Sequence, residues 1–204
     1  MNAPLDWRPA KPFEIIGPGT RIASKLIEKA NRTKANGQTP IKILLYGPPC
    51  VGKTTIAELL AAELTASQWS IEETNGKLVT IETVKGWMRE LAFGNLFSDW
   101  SVKIVNELDR QSMLCEQRCC ASRREEPFSS RWSLSISNHP ERNEKRSFSV
   151  PRLALVEAPA SEEIRGFLME RWEVPESVAS MISVGCGGNV RAALADLETY
   201  LDAR

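Results

Sequence analysis

The chain of 204 residues has a single histidine, five cysteines and no excess of either charge, because 26 basic residues balance 26 acidic ones. Without net positive charge, nucleic-acid binding through bulk electrostatics is excluded, and such a contact needs a local patch. No apolar run approaches the roughly 20 residues of a membrane-spanning helix. The N-terminus, MNAPLDW, lacks the basic and then apolar pattern of a signal peptide. The odd cysteine count indicates no disulfide framework. We therefore expect a reduced, cytoplasmic protein with no membrane partner.

Apolar spacing over the first three quarters of the chain is typical of an α/β fold. Short apolar runs at residues 41–46, 102–105 and 134–136 predict buried strands. Apolar residues at helical spacing predict helices at about residues 54–66 and 83–93. Strands that alternate with helices predict a three-layer α/β sandwich with a mostly parallel sheet.

The last part of the chain has helical patterns and no strand pattern. We expect Ser161 to cap a first helix, Pro175 to begin a second, and residues 187–189 to separate a third. The sequence therefore predicts two domains, an α/β domain over residues 1–158 and a small all-helical lid domain over residues 159–204.

A phosphate-binding loop follows the first predicted strand. Its pattern of Gly, four residues and Gly-Lys-Thr is the P-loop signature, formed by Gly47, Pro48, Pro49, Cys50, Val51, Gly52, Lys53 and Thr54. Backbone N–H groups of such a loop converge on phosphate oxygens, the lysine adds charge, and the threonine hydroxyl binds Mg²⁺. The N-terminus of the following helix also attracts the anion. Because the loop lies between an apolar strand and an amphipathic helix, we expect ATP and Mg²⁺ to bind here.

Further motifs occur in the order in which AAA+ ATPases carry them. Residues 13–17, before the first helix, resemble the segment that packs on adenine in that family. Residues 102–109 resemble the Walker B strand with its acidic end, and residues 134–138 resemble the sensor-1 strand with its polar end. Residues 188–194, which begin with Gly-Asn-Val-Arg, resemble the sensor-2 start of the last helix. Together with GPPxxGKT, they make almost the whole chain resemble AAA+ ATPases, particularly those of clamp-loader and replication-factor-C type. The chain ends at Arg204 without the collar domain of clamp-loader subunits, so we expect it not to be a complete subunit of that kind.

The resemblance implies a set of nucleotide-binding residues. They belong to the segment before the first helix, to the P-loop and its helix, and to the start of the last helix: Ile16, Gly17, Gly47, Pro48, Pro49, Cys50, Val51, Gly52, Lys53, Thr54, Thr55 and Arg191.

The resemblance also implies which residues carry the chemistry beside Lys53. Thr54, Asn106 and Glu107 would hold Mg²⁺, partly through water. Glu107 at the end of the Walker B strand would orient or deprotonate the attacking water, as ATP hydrolysis requires. Asn138, in the sensor-1 position, would hold the same water. Arg191, in the sensor-2 position, would reach the γ-phosphate and couple nucleotide state to the lid.

Two substitutions depart from the family pattern at the site. Cys50 stands where the family usually has glycine, and if this position needs a positive φ angle, the cysteine costs on the order of 1 kcal/mol. Asn106 stands in place of the Walker B aspartate. Its amide oxygen still suits a water bound to magnesium, but it lacks the charge, so metal affinity and turnover are expected to fall.

Residues 111–149 form an atypical segment. It is rich in serine and arginine and has no convincing apolar face, where the family has an amphipathic helix and a strand. It is either a stretch translated out of frame or a genuine insertion. Arg146 and Arg152 are the candidates for an arginine finger that reaches a neighbouring subunit. Its cysteines give only half of a zinc ligand set, so zinc is disfavoured.

The predicted function is hydrolysis of Mg-ATP to ADP and phosphate, which drives conformational change. The resemblance implies a homo- or hetero-oligomeric ring or arc, with a place in DNA replication or repair and DNA or a DNA-bound protein as a possible partner. The alternative is a nucleotide-binding switch or structural subunit with little or no hydrolysis, which Asn106 favours and Glu107 opposes. A small-molecule kinase fits less well, because its catalytic arginines would lie in a lid inserted within the α/β domain.

Overall fold

The computed structural model describes residues 4–35, 42–65, 67–93, 100–107, 133–137 and 152–203. The strands are β1 (Lys42–Tyr46), β2 (Ile71–Asn75), β3 (Val102–Asn106), β4 (Ser133–Ser137) and β5 (Arg152–Leu155). The helices are α1 (Gly19–Ala35), α2 (Lys53–Leu64), α3 (Ile81–Phe93), α4 (Ser161–Trp172), α5 (Glu176–Gly185) and α6 (Val190–Asp202). Short 3-10 helices cover Pro4–Asp6, Pro12–Glu14, Gln68–Ser70 and Gly76–Leu78.

The five strands form one parallel sheet in the order β2-β3-β4-β1-β5. The three predicted strands are therefore confirmed as β1, β3 and β4. The strand β2 was not predicted, because IEETN has one apolar residue and reads as polar loop. It lies at the edge of the sheet and pairs with β3, where Asn75 is opposite Asn106. The carboxyl ends of β1, β2 and β3 meet at one edge of the sheet, as parallel strands require.

Helices cover both faces of the sheet. Buried side chains of α2, including Ile56 and Leu60, share a core with Ile43 and Ile104 of the strands. On the opposite face Val105 packs with α3 in a smaller cluster formed by Val79, Val84 and Trp87. Neighbouring residues of a strand point to opposite faces, so Ile104 packs against α2 and Val105 packs on the side of α3. The predicted α/β sandwich is confirmed.

A polar network joins α3 to the edge of the sheet. The side chain of Lys103 on β3 is 7% exposed and forms ion pairs with Glu72 of β2 and with Glu90 of α3, the second at 2.8 Å. The indole N–H of Trp87 donates to the Glu72 carboxylate at 2.8 Å. The charge of this buried lysine is thus balanced by carboxylates from two neighbouring elements.

The helices α4, α5 and α6, here called the C-terminal helix group, have a core of their own. It contains Ile164, Leu168, Ala179, Ile182 and Leu197. The predicted domain division at residues 158 and 159 is not tested by this separation of cores and stays a prediction. Within the described ranges, none of the helices combines the length and the apolar character that crossing a membrane requires.

One predicted helix start is wrong. Ser161 is the first residue of α4 and not its cap, since Ala160 holds the N-cap position without a side-chain hydrogen bond. The carboxylate of Glu163 accepts from the Ala160 N–H at 2.8 Å and satisfies this amide instead. An acidic side chain in the first turn also complements the helix dipole.

Candidate nucleotide-binding site

The P-loop joins the carboxyl end of β1 to the start of α2 and has a strained backbone. Gly47 has φ +143°, and a Cβ at this residue would lie 2.1 Å from the carbonyl oxygen of Val156. Gly52, the N-cap of α2, has φ +90°. Both positions therefore require glycine, because L-residues disfavour these angles and the first has no room for a side chain.

Cys50 also adopts the left-handed conformation, with φ +59°. The expectation that this position needs a positive φ angle is therefore correct. The conformation costs a non-glycine residue roughly 1–2 kcal/mol. The thiol is half-buried at the wall of the site.

The ammonium group of Lys53 is held within the loop itself. The residue is 6% exposed, and its Nζ donates to the carbonyl oxygens of Gly47, at 3.0 Å, and Pro48. The first hydrogen bond within α2 joins the Ile56 N–H to the Gly52 oxygen at 2.9 Å. The N–H groups of the first helical turn precede this bond and suit an anion.

A cavity of about 460 Å³ opens beside the P-loop. It brings together most of the predicted site residues, namely Ile16, Pro49, Cys50, Val51, Gly52, Lys53, Thr54, Thr55, Asn106, Glu107 and Arg191. Gly17, Gly47 and Pro48 do not line it. Gly17 has φ +70° and lies against Pro159, which its added Cβ would approach to 2.7 Å.

Other predicted site residues fall outside the part of the chain that the structure describes. They are Asn138 and Arg146, with the side chain of Arg152, whose backbone belongs to β5. The cysteines of the atypical segment are also outside these ranges. Within the described ranges, no three His, Cys, Asp or Glu side chains form a metal-binding group.

Glu107 follows β3 in a fixed position at the cavity wall. It has φ +54°, and its carboxylate accepts from the side-chain N–H of Asn75 at 3.1 Å. A Cβ on Gly76 would lie 2.5 Å from the Glu107 carbonyl oxygen, so the ends of β2 and β3 approach closely. Sequence reasoning missed Asn75 because it missed β2, although a polar residue at a carboxyl strand end is the relevant signal.

Asn106 has one satisfied and one unsatisfied side-chain atom. Its Nδ2 donates to the carboxylate of Glu73 on β2. Its Oδ1 is buried and has no hydrogen-bond partner among the described residues. A buried carbonyl oxygen without a partner costs about 1–3 kcal/mol. It is therefore suited to accept a hydrogen bond from a bound water.

One carboxyl near this edge of the sheet has a shifted pKa. Burial raises the pKa of Glu58 on α2, and the nearby charge of Glu73 raises it further, while Arg8 acts in the opposite direction. Both Glu58 and Glu73 keep exposed surface. Glu58 and Glu73 therefore interact electrostatically between α2 and β2.

Arg191 enters the cavity wall from the C-terminal helix group. It is the second residue of α6, together with Val190 and Leu194 at the cavity. The side chain of Asn189 caps the helix by accepting from the Ala192 N–H at 3.1 Å. This cap fixes where α6 begins, and the residues that follow it line the same cavity as the P-loop.

The N-terminal segment forms a further wall that sequence reasoning missed. Leu5, Trp7, Arg8 and Pro9 line the cavity. The ring of Trp7 lies 4.8 Å from that of Phe167 and 6.2 Å from that of Trp172, both on α4, between ring centroids. The segment therefore connects the cavity to the C-terminal helix group.

Comparison with known proteins agrees with this geometry. Residues 43–114 match the family described as ATPase family associated with various cellular activities (AAA). Over 51 residues the chain is 41% identical to the Holliday junction branch migration complex subunit RuvB of Cutibacterium acnes, which covers 25% of this chain and 15% of that protein. The AAA match supports the AAA+ interpretation of the P-loop and Walker B strand. This relative is a RuvB protein, and the resemblance to clamp loaders stays a prediction.

Solved structures of Thermotoga maritima RuvB share the fold. A single-residue variant has a TM-score of 0.70 at 20% identity, with 92% of this chain and 63% of that chain covered. The RuvB Holliday junction branch migration motor has a TM-score of 0.65 at 21% identity and the same coverage. The chain thus spans about two thirds of the length of these structures, and the α/β fold with its helical continuation is confirmed.

Proposed function

We propose that the cavity binds Mg-ATP and that the chain hydrolyses it to ADP and phosphate as an AAA+ ATPase. The observation that carries this proposal is the arrangement of Lys53, Glu107 and Arg191 around one cavity that also contains the P-loop. These side chains come from α2, the end of β3 and α6. Charge for the phosphates and a carboxylate for water are the requirements of phosphoryl transfer to water.

Each P-loop residue has a defined part in this proposal. The N–H groups of residues 50–55 bind the phosphate oxygens, and Lys53 turns from its loop carbonyls to the β- and γ-phosphates. The Thr54 hydroxyl and Asn106 Oδ1 would hold Mg²⁺, partly through water, since both residues line the cavity and Oδ1 is an unpartnered acceptor among the described residues. Mg²⁺ would neutralise phosphate charge when it is bound there.

Glu107 orients the attacking water in this scheme. Its carboxylate is placed by Asn75 at the cavity wall. A carboxylate held in one direction directs water more effectively than one that rotates. Asn138, which follows β4 in the sequence, is proposed to contribute a second polar group.

Arg191 couples the nucleotide to the C-terminal helices. We assign residues 1–158 to the nucleotide-binding domain and residues 159–204 to a lid. A γ-phosphate that attracts Arg191 would draw α6 toward the P-loop, and its loss would release the helix.

Assembly on DNA is the wider part of the proposal. The printed names of the relatives describe a branch migration complex subunit and a branch migration motor for Holliday junctions. By this similarity we propose that the chain forms a homo- or hetero-oligomeric ring or arc in the cytoplasm, with DNA or a DNA-bound protein as partner. An arginine finger from Arg146 or Arg152 would complete the site of a neighbouring subunit.

The second candidate function is a nucleotide-binding switch with little hydrolysis. Asn106 in place of an aspartate favours it, because the amide gives the metal no charge. Both functions need the same cavity and differ only in turnover.

Steady-state phosphate release with Mg-ATP, measured over a range of protein concentrations, separates the two functions. Lys53→Ala and Glu107→Gln are compared with Glu82→Gln, which removes an exposed carboxylate of α3 outside the cavity. An assembling ATPase gives activity that rises more than linearly with concentration, is lost in the first two variants and is kept in the third. A switch instead binds ATP in a Lys53-dependent manner and releases no phosphate above the Glu107→Gln background.

A further inference from the structure

We propose that Glu73 is a positioning residue that supplies, through Asn106, the negative charge missing from the Walker B strand. This inference rests on the proposed function, since it concerns how the same cavity holds Mg-ATP. Glu73 does not line the cavity and acts only through its contact with Asn106.

Strand register places Glu73 on the correct face of the sheet. Glu73 is opposite Ile104 of β3, and Asn75 is opposite Asn106. Side chains two residues apart in a strand share a face. Glu73, Asn106 and the buried Ile104 therefore project to the side covered by α2, and Glu73 reaches Asn106 along this face.

The contact fixes the orientation of the Asn106 amide. An asparagine side chain alone can present either its oxygen or its nitrogen to a given partner. A carboxylate only accepts hydrogen bonds, so Glu73 selects the Nδ2 group. The Oδ1 atom then faces away from Glu73, and it is the buried oxygen without a partner among the described residues. Because Asn106 lines the cavity, this oxygen is the acceptor that the proposal assigns to a water bound to magnesium.

The contact also brings a formal charge next to the amide. An aspartate in the Walker B position would carry this charge on the residue itself. Here the Glu73 carboxylate polarises the amide through a charge-assisted hydrogen bond, which makes Oδ1 a stronger acceptor. The pKa of Glu58 is raised in part by Glu73, so the field of the Glu73 carboxylate acts on this side of the sheet.

The test measures how strongly Mg²⁺ tightens the binding of a fluorescent, non-hydrolysable ATP analogue. Dissociation constants are measured in excess Mg²⁺ and in excess EDTA for the full chain, and their ratio is the magnesium effect. We expect Glu73→Gln to lower this effect roughly tenfold, since the loss of an outer-shell partner typically weakens metal binding by that factor or more. Glu82→Gln makes the same chemical change at an exposed site and should leave the effect unchanged.

An exchange of the amide and the carboxylate between residues 73 and 106 distinguishes the proposed role from a general loss of structure. Asn106→Asp alone places a carboxylate at residue 106 beside that of Glu73 and should not lower the magnesium effect, because Mg²⁺ relieves the repulsion between the two charges. In the double variant Glu73→Gln and Asn106→Asp, the new amide on β2 donates to the new carboxylate on β3, and the total charge of wild type is restored. We expect the double variant to recover most of the magnesium effect, which a purely structural role of Glu73 would not produce.

The possible outcomes separate this inference from the function on which it rests. If wild type binds the analogue and Lys53→Ala does not, while Glu73→Gln keeps the full magnesium effect, the positioning role is wrong and nucleotide binding stands. A double variant with no larger magnesium effect than Glu73→Gln alone also overturns the role. If wild type binds no analogue under either condition, both the function and the inference are wrong.

Discussion

At the scale of single residues, Gly47 has the least freedom to change. An added Cβ would lie 2.1 Å from the Val156 oxygen, and the backbone has φ +143°. We expect Gly47→Ala to lower the free energy of unfolding by about 3 kcal/mol or more and to weaken ATP binding, because β1 and the segment after β5 must separate. Urea denaturation measures the first effect and analogue binding the second.

A matched glycine change serves as its control. Gly166 lies within α4, and a Cβ there would contact nothing within 4 Å. Gly166→Ala should stabilise the chain by about 0.5–1 kcal/mol. If both variants had the same stability, close packing at Gly47 would not be the cause of its effect.

Glu58 makes the stability of the chain depend on pH. Its pKa lies above the ordinary value of 4.5, first because of burial and then because of Glu73. A folded-state pKa above the unfolded one means that its stabilisation is full below the unfolded pKa and is lost as pH rises through the folded pKa. We expect Glu58→Gln to be more stable than wild type at neutral pH and the difference to disappear toward pH 4.5.

Urea denaturation at several pH values checks this dependence. Glu82→Gln, at an exposed site, provides the baseline for loss of one carboxylate. A Glu58→Gln difference that stays constant between neutral pH and about pH 4.5 would contradict the prediction.

At the scale of elements, Lys103 connects α3 to β2 and β3. Its ion pairs with Glu72 and Glu90 surround a side chain that is 7% exposed, whereas the two carboxylates are partly exposed. We expect Lys103→Ala to cost about 2 kcal/mol, less than the roughly 3–5 kcal/mol of a fully buried pair. Lys103→Met should cost less than Lys103→Ala, because it keeps the packing of the aliphatic chain.

Chemical denaturation of both variants beside Lys85→Met tests this contribution. Lys85 is an exposed residue of α3 and should change stability by less than about 0.5 kcal/mol. Equal losses in Lys103→Met and Lys103→Ala would mean that the charge alone matters and the stem does not.

Sequence predicted the central elements and missed the outer ones. Consecutive residues of β1 and β3 are buried, so both faces of these strands are covered and their apolar runs are clear. At the sheet edge, β2 needs few apolar residues, and IEETN contains one. Because β2 was not predicted, its two site residues were not predicted either. Asn75 contacts the predicted residue Glu107, and Glu73 contacts the predicted residue Asn106. Contacts between strands distant in sequence are set by sheet order, which periodicity does not reveal.

At the scale of the whole molecule, Trp7 joins the N-terminal segment to the C-terminal helix group. Its ring packs with Phe167 and Trp172, and its neighbours line the cavity. We expect Trp7→Ala to weaken analogue binding about threefold to tenfold, because the lost aromatic contacts, each worth about 0.5–1.5 kcal/mol, also hold the cavity wall. Fluorescence titration measures the change.

Trp69 offers the matched control, since this tryptophan is 85% exposed. Trp69→Ala should leave the dissociation constant unchanged. If Trp7→Ala also left it unchanged, the N-terminal segment would be a wall of the cavity without a part in binding.

The position of β1 within the sheet affects when the site can form during synthesis. Leu44 of β1 pairs with Ser135 on one side and Leu153 on the other. A ribosome therefore makes the phosphate loop before β4 and β5, and β1 gains both neighbours only after β5 has left the exit tunnel. Loop closure over this separation is slow compared with local helix formation. The nucleotide can consequently stabilise the nascent chain only after β5 has been translated.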